Sequence, residues 1–160
     1  MQTTTPPAAM PLWLPFLFPV FFAGMWLFVT YLLAVLSGWR ALARRYRAQS
    51  AAGPWTAPWA SGYFNWFGLP VGFSSCLNVG VSARGVVLRP VLVFAAGAPR
   101  LEIPWEEMME CRSWRLFGIF PRFSFVTAGP RVKITLVGRA GALLDDVFAR
   151  ELPGRAAAGA

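Results

Sequence analysis

The chain contains no histidine. Histidine is the usual general base near neutral pH and the commonest metal ligand, so its absence disfavours the most frequent designs of hydrolytic and zinc sites. The two cysteines, Cys76 and Cys111, stand far apart and outside any Cys-x-x-Cys arrangement. This favours small buried hydrophobes over metal ligands or a disulfide. Glycine-rich phosphate loops of the P-loop or dinucleotide type are absent as well.

Acidic residues are scarce, with 7 against 15 basic ones. The pairs Glu106–Glu107 and Asp145–Asp146 are adjacent in sequence, and neighbouring side chains diverge by about 180° on a strand and about 100° on a helix. We therefore interpret both pairs as solvated polar surface rather than as paired catalytic carboxylates. The sequence predicts a non-catalytic protein that needs neither a cofactor nor a metal.

Charge of either sign is missing from the first part of the chain. No side chain that is charged at neutral pH occurs between Met1 and Trp39, and Leu12–Leu36 is almost wholly apolar and aromatic. A helix over this range would measure about 37 Å, slightly more than the ~30 Å hydrocarbon core of a bilayer. Segment 12–37 is thus predicted to be a transmembrane helix that follows a short external tail, 1–11.

Two other interpretations of the apolar segment fit less well. A cleaved signal peptide would need a basic n-region and a shorter apolar stretch, whereas residues 1–11 carry no basic side chain. A buried helix of a soluble protein would need a larger domain around it than a chain of 160 residues provides.

Arginines follow the apolar segment directly, and none precedes it. The positive-inside rule then places the N-terminus outside and the rest of the chain in the cytoplasm, at the inner (plasma) membrane. Segment 38–50 is predicted to be a basic helix on the inner leaflet, in contact with anionic lipid headgroups. A nucleic-acid partner is not expected, because no basic and aromatic platform accompanies the arginines. The predicted membrane-interface residues are Trp13, Trp39, Arg40, Arg44, Arg45, Tyr46 and Arg47.

Segment 51–62 mixes alanine, proline, glycine and tryptophan without a period. We interpret it as an extended linker. Trp55 and Trp59 either lie at the membrane interface or pack on the domain that follows, and the sequence does not decide between these.

From about Tyr63 the pattern is that of β-strands. Val132, Ile134 and Leu136 alternate with more polar residues, as expected for a strand with one buried face. The period changes over 140–152, where the apolar residues form one helical face. Segment 63–153 is therefore predicted to be a small antiparallel sheet or partly open barrel with a C-terminal helix over its apolar opening, and 154–160 a disordered tail. The predicted strands lie within 76–94 around a turn at 82–85, and at 108–114, 120–127 and 131–137.

The stretches "RGVVLRPVLVF" and "PRLEIPWEEM" resemble the pleckstrin-homology and GRAM-like superfamily, in which an Ile-Pro-Trp step often precedes the third or fourth strand. The spacing from Trp39 to Tyr46, followed by "CLNVG", is also similar to a group of small bacterial proteins with one membrane segment. The resemblance implies a mainly-β PH/GRAM-like domain after the transmembrane helix. It also implies core positions for Ile103, Pro104 and Trp105. The candidate ligand or headgroup contacts of such a domain are Arg84, Arg89 and Arg122, which would form an exposed patch that faces the bilayer.

Two functions remain open at this point. The first is a membrane-anchored cytoplasmic interaction module that binds a protein segment or a lipid headgroup. The alternative is an accessory subunit of a larger membrane complex, in which small residues such as Ala23–Gly24 and Ser37–Gly38 allow helices to approach closely.

The topology can be tested with reporters at the two ends of the chain. We expect a reporter fused after Ala160 to behave as cytoplasmic and one fused before Met1 to behave as external, because the arginines retain their end of the span on the inside. An external C-terminal reporter would show that the orientation is wrong.

Overall fold

A computed structural model describes residues 14–48 and 56–151. The predictions for Trp13, for Trp55 and for the two tails lie outside the described residues. The helices are α1 (Leu14–Leu36), α2 (Trp39–Tyr46) and α3 (Arg139–Glu151), and the strands are β1 (Ala57–Trp66), β2 (Leu69–Ser82), β3 (Gly85–Pro90), β4 (Leu101–Pro104), β5 (Met108–Leu116), β6 (Phe120–Thr127) and β7 (Lys133–Val137).

The strands of the described residues form one antiparallel sheet in the order β4-β3-β2-β1-β7-β6-β5. Register shifts in β1 and β5 mark bulges, which bend a strand and increase its twist. The sheet curls into a half-barrel, and its concave side holds the core. Val132, Ile134 and Leu136 are fully buried, so the predicted alternation is confirmed.

Helix α1 has two differently exposed halves. Its apolar side chains are exposed all round from Phe16 to Met25, whereas Thr30 and Ala34 are buried against the domain. By length and composition the segment Phe16–Leu36 can cross a membrane, and a signal sequence would pass the same test. The contacts of the second half make α1 part of the folded domain as well as a candidate span.

The predicted linker is wrong in its second part, because β1 begins at Ala57 and pairs with both β2 and β7. Alanine, serine and glycine have weak strand propensity, so this strand was not visible in the sequence. Close packing against β7 requires a small residue in this strand, because a Cβ added to Gly62 would lie only 2.9 Å from the Leu136 side chain. Trp59 lies in β1 and is 65% exposed, so most of its side chain lies outside the domain core.

The basic helix is also different from the prediction, which placed Trp39 and Tyr46 among lipid headgroups. Helix α2 is shorter than 38–50, and Trp39, Leu42 and Tyr46 are buried in the protein core. The same amphipathic pattern suits a bilayer surface and an open sheet, and here the sheet covers it. Gly38 permits the turn from α1 because its φ is 75°, and a Cβ there would lie 2.8 Å from the Trp66 side chain.

Two further predictions concern the C-terminal helix and the Ile-Pro-Trp step. Helix α3 packs on the sheet, with the Phe148 ring 5.5 Å from the Phe123 ring. Ile103 is fully buried and Trp105 is 8% exposed, as the Ile-Pro-Trp step implied. Pro104 between them is only half-buried, so its predicted core position is wrong: it ends β4, the edge strand of the sheet.

Replacing Trp105 by alanine should destabilise the domain strongly. The large ring belongs to the core cluster, so Trp105→Ala leaves a cavity and should lower the free energy of unfolding by about 3–5 kcal/mol. Thermal unfolding of the full chain in detergent micelles measures this loss. The matched control is Glu106→Ala at the exposed neighbour, and equal melting temperatures for the two variants would contradict the core assignment.

Candidate functional site

A pocket of about 660 Å³ lies where the end of α1 meets α2. One wall is the exposed face of α2, and the opposite wall is the connection from β3 to β4. Tyr31 of α1 closes a third side. The lining residues are Tyr31, Arg40, Ala43, Arg44, Arg47, Ala95, Gly97, Ala98 and Pro99.

The helical period brings the pocket arginines together. Arg40 and Arg44 follow i, i+4 spacing on α2 and therefore share one face of the helix. Arg47 follows the last residue of α2 directly and lines the same pocket. The opposite face of α2 is buried in the core, so this face is turned outward. The end of the helix is tied to the opposite wall, because Arg47 pairs with Leu101 in an isolated bridge.

The pocket is cationic and lacks an acidic partner. Among the described residues, the ion pairs within 4.0 Å are Arg45–Glu107 and Arg131–Glu110, and neither lies in the pocket. The Arg40 guanidinium contacts the Tyr31 hydroxyl and lies 5.0 Å from the centre of the Tyr31 ring. This arrangement offers several N–H donors and uncompensated positive charge to an anion.

Arg45 faces away from the pocket and holds α2 in place. Its Nη2 atom lies 2.6 Å from Glu107 Oε1. The Tyr46 hydroxyl lies 3.0 Å from both Glu107 Oε2 and Gly129 O, and it accepts the Gly129 N–H at 3.2 Å. We call Arg45, Tyr46 and Glu107 the Glu107 clamp. Arg45 was predicted at the membrane interface and Glu107 on a solvated surface, and the clamp corrects both assignments.

The clamp changes the acid–base behaviour of its members. The hydrogen bonds from Arg45 and Tyr46 hold the pKa of Glu107 below its usual range. Burial raises the pKa of the Tyr46 hydroxyl. Glu107 is therefore ionised throughout the neutral range, which is the state that retains Arg45 on this side of α2.

The remaining predicted contacts do not converge. Arg84 lies in the turn between β2 and β3, Arg89 lies on β3, and Arg122 lies on β6. Strands β2, β1 and β7 separate β3 from β6, so these arginines do not form the single patch that the sequence suggested. Among the described residues, no group of three His, Cys, Asp or Glu side chains could hold a metal ion. Burial raises the pKa of the Cys76 thiol, in line with a core residue.

Comparisons with protein-family models, with curated proteins and with solved structures found no match. The pocket must therefore be understood from its own residues. Sequence reasoning found the arginine face from its helical period, but it missed Tyr31 and the wall from Ala95 to Pro99. The sequence contained one sign of this wall: no polar side chain occurs between Arg89 and Arg100, which is unusual for a connection that faces water.

Acid should weaken the clamp. Glu107 has a lowered folded pKa, so its stabilising contribution is complete above the unfolded value of about 4.3 and is lost as the pH falls through the folded value. We expect Glu107→Gln to lower the melting temperature near pH 6, and the difference from the unmodified protein to shrink towards about pH 3. Thermal unfolding in detergent over this range measures it. Glu106→Gln at the exposed neighbour is the control, and a difference that does not depend on pH would contradict the assignment.

Proposed function

We propose that this protein is a single-span membrane protein of the inner membrane whose cytoplasmic domain binds an anionic phospholipid headgroup in the arginine pocket. The observation that carries the proposal is the position of the pocket. Arg40, Arg44 and Arg47 line it without an acidic partner, immediately after a helix that can cross a membrane. Under the positive-inside rule, this end of the helix faces the cytoplasm.

The contacts of α1 support a retained span rather than a removable signal sequence. Trp26 donates its indole N–H to the Val93 carbonyl at 3.1 Å, and Ala34 belongs to the core cluster. Removal of α1 would therefore uncover part of the domain core. The exposed first half of α1, with Phe16 and Phe21 each more than 60% exposed, fits hydrocarbon better than water.

The chemistry of the pocket suits a phosphate group. Guanidinium groups bind phosphate through paired N–H donors, and the Tyr31 hydroxyl adds a further polar contact. Each arginine near an anionic bilayer surface contributes about 1 kcal/mol. Leu27 lies one helical turn before Tyr31 and is 56% exposed, which provides an apolar surface for an acyl chain below the headgroup.

We further propose that the β domain is PH/GRAM-like. An antiparallel sheet followed by a C-terminal helix is what the resemblance implies. Phosphoinositide-binding members of the superfamily that the sequence resembles carry a basic cluster in the first hairpin. The site proposed here lies instead between α1, α2 and the connection from β3 to β4. We therefore propose recognition of a phosphate-bearing headgroup without specificity for inositides.

The alternative function is an accessory subunit, and fewer small residues are available for its contact with a partner helix than the sequence suggested. Ser37 and Gly38 are buried within the chain itself and are not available to another helix. Gly24 has open space around it, so a partner helix would have to contact the first half of α1 near Ala23–Gly24.

Removal of the pocket charges should abolish lipid selectivity. We expect the full chain in detergent to retain phosphatidylglycerol in preference to phosphatidylcholine, and the variant R40Q/R44Q/R47Q to lose that preference by at least about tenfold, equivalent to ~1.4 kcal/mol. Native mass spectrometry of retained lipid measures this ratio. A matched control, R84Q/R112Q/R115Q, removes the same charge from exposed positions outside the pocket.

Both variants should stay in the membrane after washing with alkaline carbonate, because the apolar span anchors the chain without help from the arginines. Equal selectivity in the pocket and control variants would refute the headgroup site. Release of the control protein by carbonate would refute the span.

A further inference from the structure

The connection from β3 to β4 has an unusual composition for a loop. Every residue from Pro90 to Pro99 is apolar or glycine, and arginines stand on both sides of this segment. Connections are normally polar because they run through water. Leu92 and Val93 are nonetheless 79% and 61% exposed. We call the segment Pro90–Pro99 the apolar loop.

The apolar loop runs along α1 rather than away from it. Trp39 donates its indole N–H to Pro99 O at 2.7 Å, where the loop returns to the domain. Further along, a Cβ on Gly97 would lie 2.9 Å from the Tyr31 ring. At the far end, the Trp26 ring lies 5.3 Å from the Phe94 ring. The loop therefore follows α1 back from the pocket towards the middle of the helix.

The helical rise shows how far the loop reaches. Trp26 precedes Leu36, the last residue of α1, by a distance of about 15 Å along the helix. Half of a hydrocarbon core is about 15 Å thick. If Leu36 marks the cytoplasmic boundary, Trp26 and the loop residues beside it lie well inside the bilayer.

We propose that the apolar loop is a re-entrant element that enters the cytoplasmic leaflet beside α1 and places Leu92 and Val93 among the acyl chains. The inference rests on the proposed function, because it requires α1 to span. Its partner is the hydrocarbon region of the bilayer, and the continuous contact with α1 is what identifies that partner. Arg89 at the start of the loop is exposed and suits the headgroup level.

The backbone of the apolar loop is suited to such a location, because polar main-chain groups in hydrocarbon must be satisfied by the protein. The Phe94 N–H bonds to Val91 O at 2.8 Å and the Ala95 N–H to Leu92 O at 3.2 Å. The Val93 carbonyl accepts the Trp26 indole N–H. These bonds satisfy backbone groups at Val91, Leu92, Val93, Phe94 and Ala95, in the part of the loop beside Trp26.

The loop also determines the height of the arginine pocket relative to the bilayer in this arrangement. Its returning arm, from Ala95 to Pro99, forms the wall opposite α2. With the tip in the acyl region, the pocket lies between the span and the loop at the height of the headgroups. A lipid in this pocket would extend its acyl chains along the exposed apolar side chains of α1, such as Leu27.

Depth-dependent quenching of a fluorophore tests this location. In the full chain carrying Cys76→Ala and Cys111→Ser, a nitrobenzoxadiazole probe is attached at Leu92→Cys, at Phe21→Cys as a marker of the span, or at Ala83→Cys. Ala83 lies in the exposed turn between β2 and β3 and is the control in water. The protein is reconstituted in phosphatidylcholine vesicles with phosphatidylglycerol, with or without doxyl groups on the acyl chains.

The probe at residue 92 should behave like the probe at residue 21. We expect doxyl lipid to quench it, and iodide to quench it about tenfold less than the probe at residue 83, since water is excluded from the acyl region. Equal iodide quenching at residues 92 and 83 would overturn the inference, and so would protection from both quenchers, which would indicate a protein partner over the loop. If the probe at residue 21 reports lipid while that at residue 92 reports water, only the re-entrant loop fails. If both report water, the span and the proposed function fail with it.

Discussion

Burial of the Trp39 side chain holds the two parts of this molecule together. The ring is fully buried, 5.0 Å from the Phe64 ring and 5.7 Å from the Phe73 ring. An indole of this size removes about 150–250 Å² from water, which stabilises the fold by about 4–6 kcal/mol on the usual area scale. Because Trp39 is the first residue of α2, the same contact fixes the direction in which the chain leaves α1.

The orientation of the charges follows from that burial. With one face of α2 in the concave sheet, its arginines must either point to the pocket or find another partner. Arg45 finds Glu107 at 2.6 Å, whereas the pocket arginines remain exposed to solvent. Like charges tolerate this proximity in water because their repulsion is screened. The protein thus brings the pocket arginines together without neutralising their positive charge. An anionic ligand would supply the missing negative charge.

Helix α1 serves two environments along its length. Its first half is surrounded by open space, and its second half has one face on the domain. The polar group on that face is satisfied locally, since the Thr30 hydroxyl bonds to Trp26 O at 2.9 Å. Because this hydroxyl is paired within the helix, α1 can pack against the apolar loop without leaving the hydroxyl unpaired. A span that also belongs to the domain core explains how the pocket can be held at a constant height relative to the bilayer in the proposed arrangement.

Local patterns in the sequence determined the apolar helix, the alternation of Val132, Ile134 and Leu136, and the C-terminal helix, because each follows a short period that needs no distant partner. The helical period also determined which arginines share a face. Only the tertiary structure decided what covers the other face of α2, since an amphipathic helix is equally suited to lipid and to a sheet. It also decided that Ala57 begins a strand, that Glu107 holds Arg45, and that the apolar loop forms the second wall of the pocket. These are contacts between residues far apart in the chain, as with the 62 positions that separate Arg45 from Glu107, and no local period encodes them.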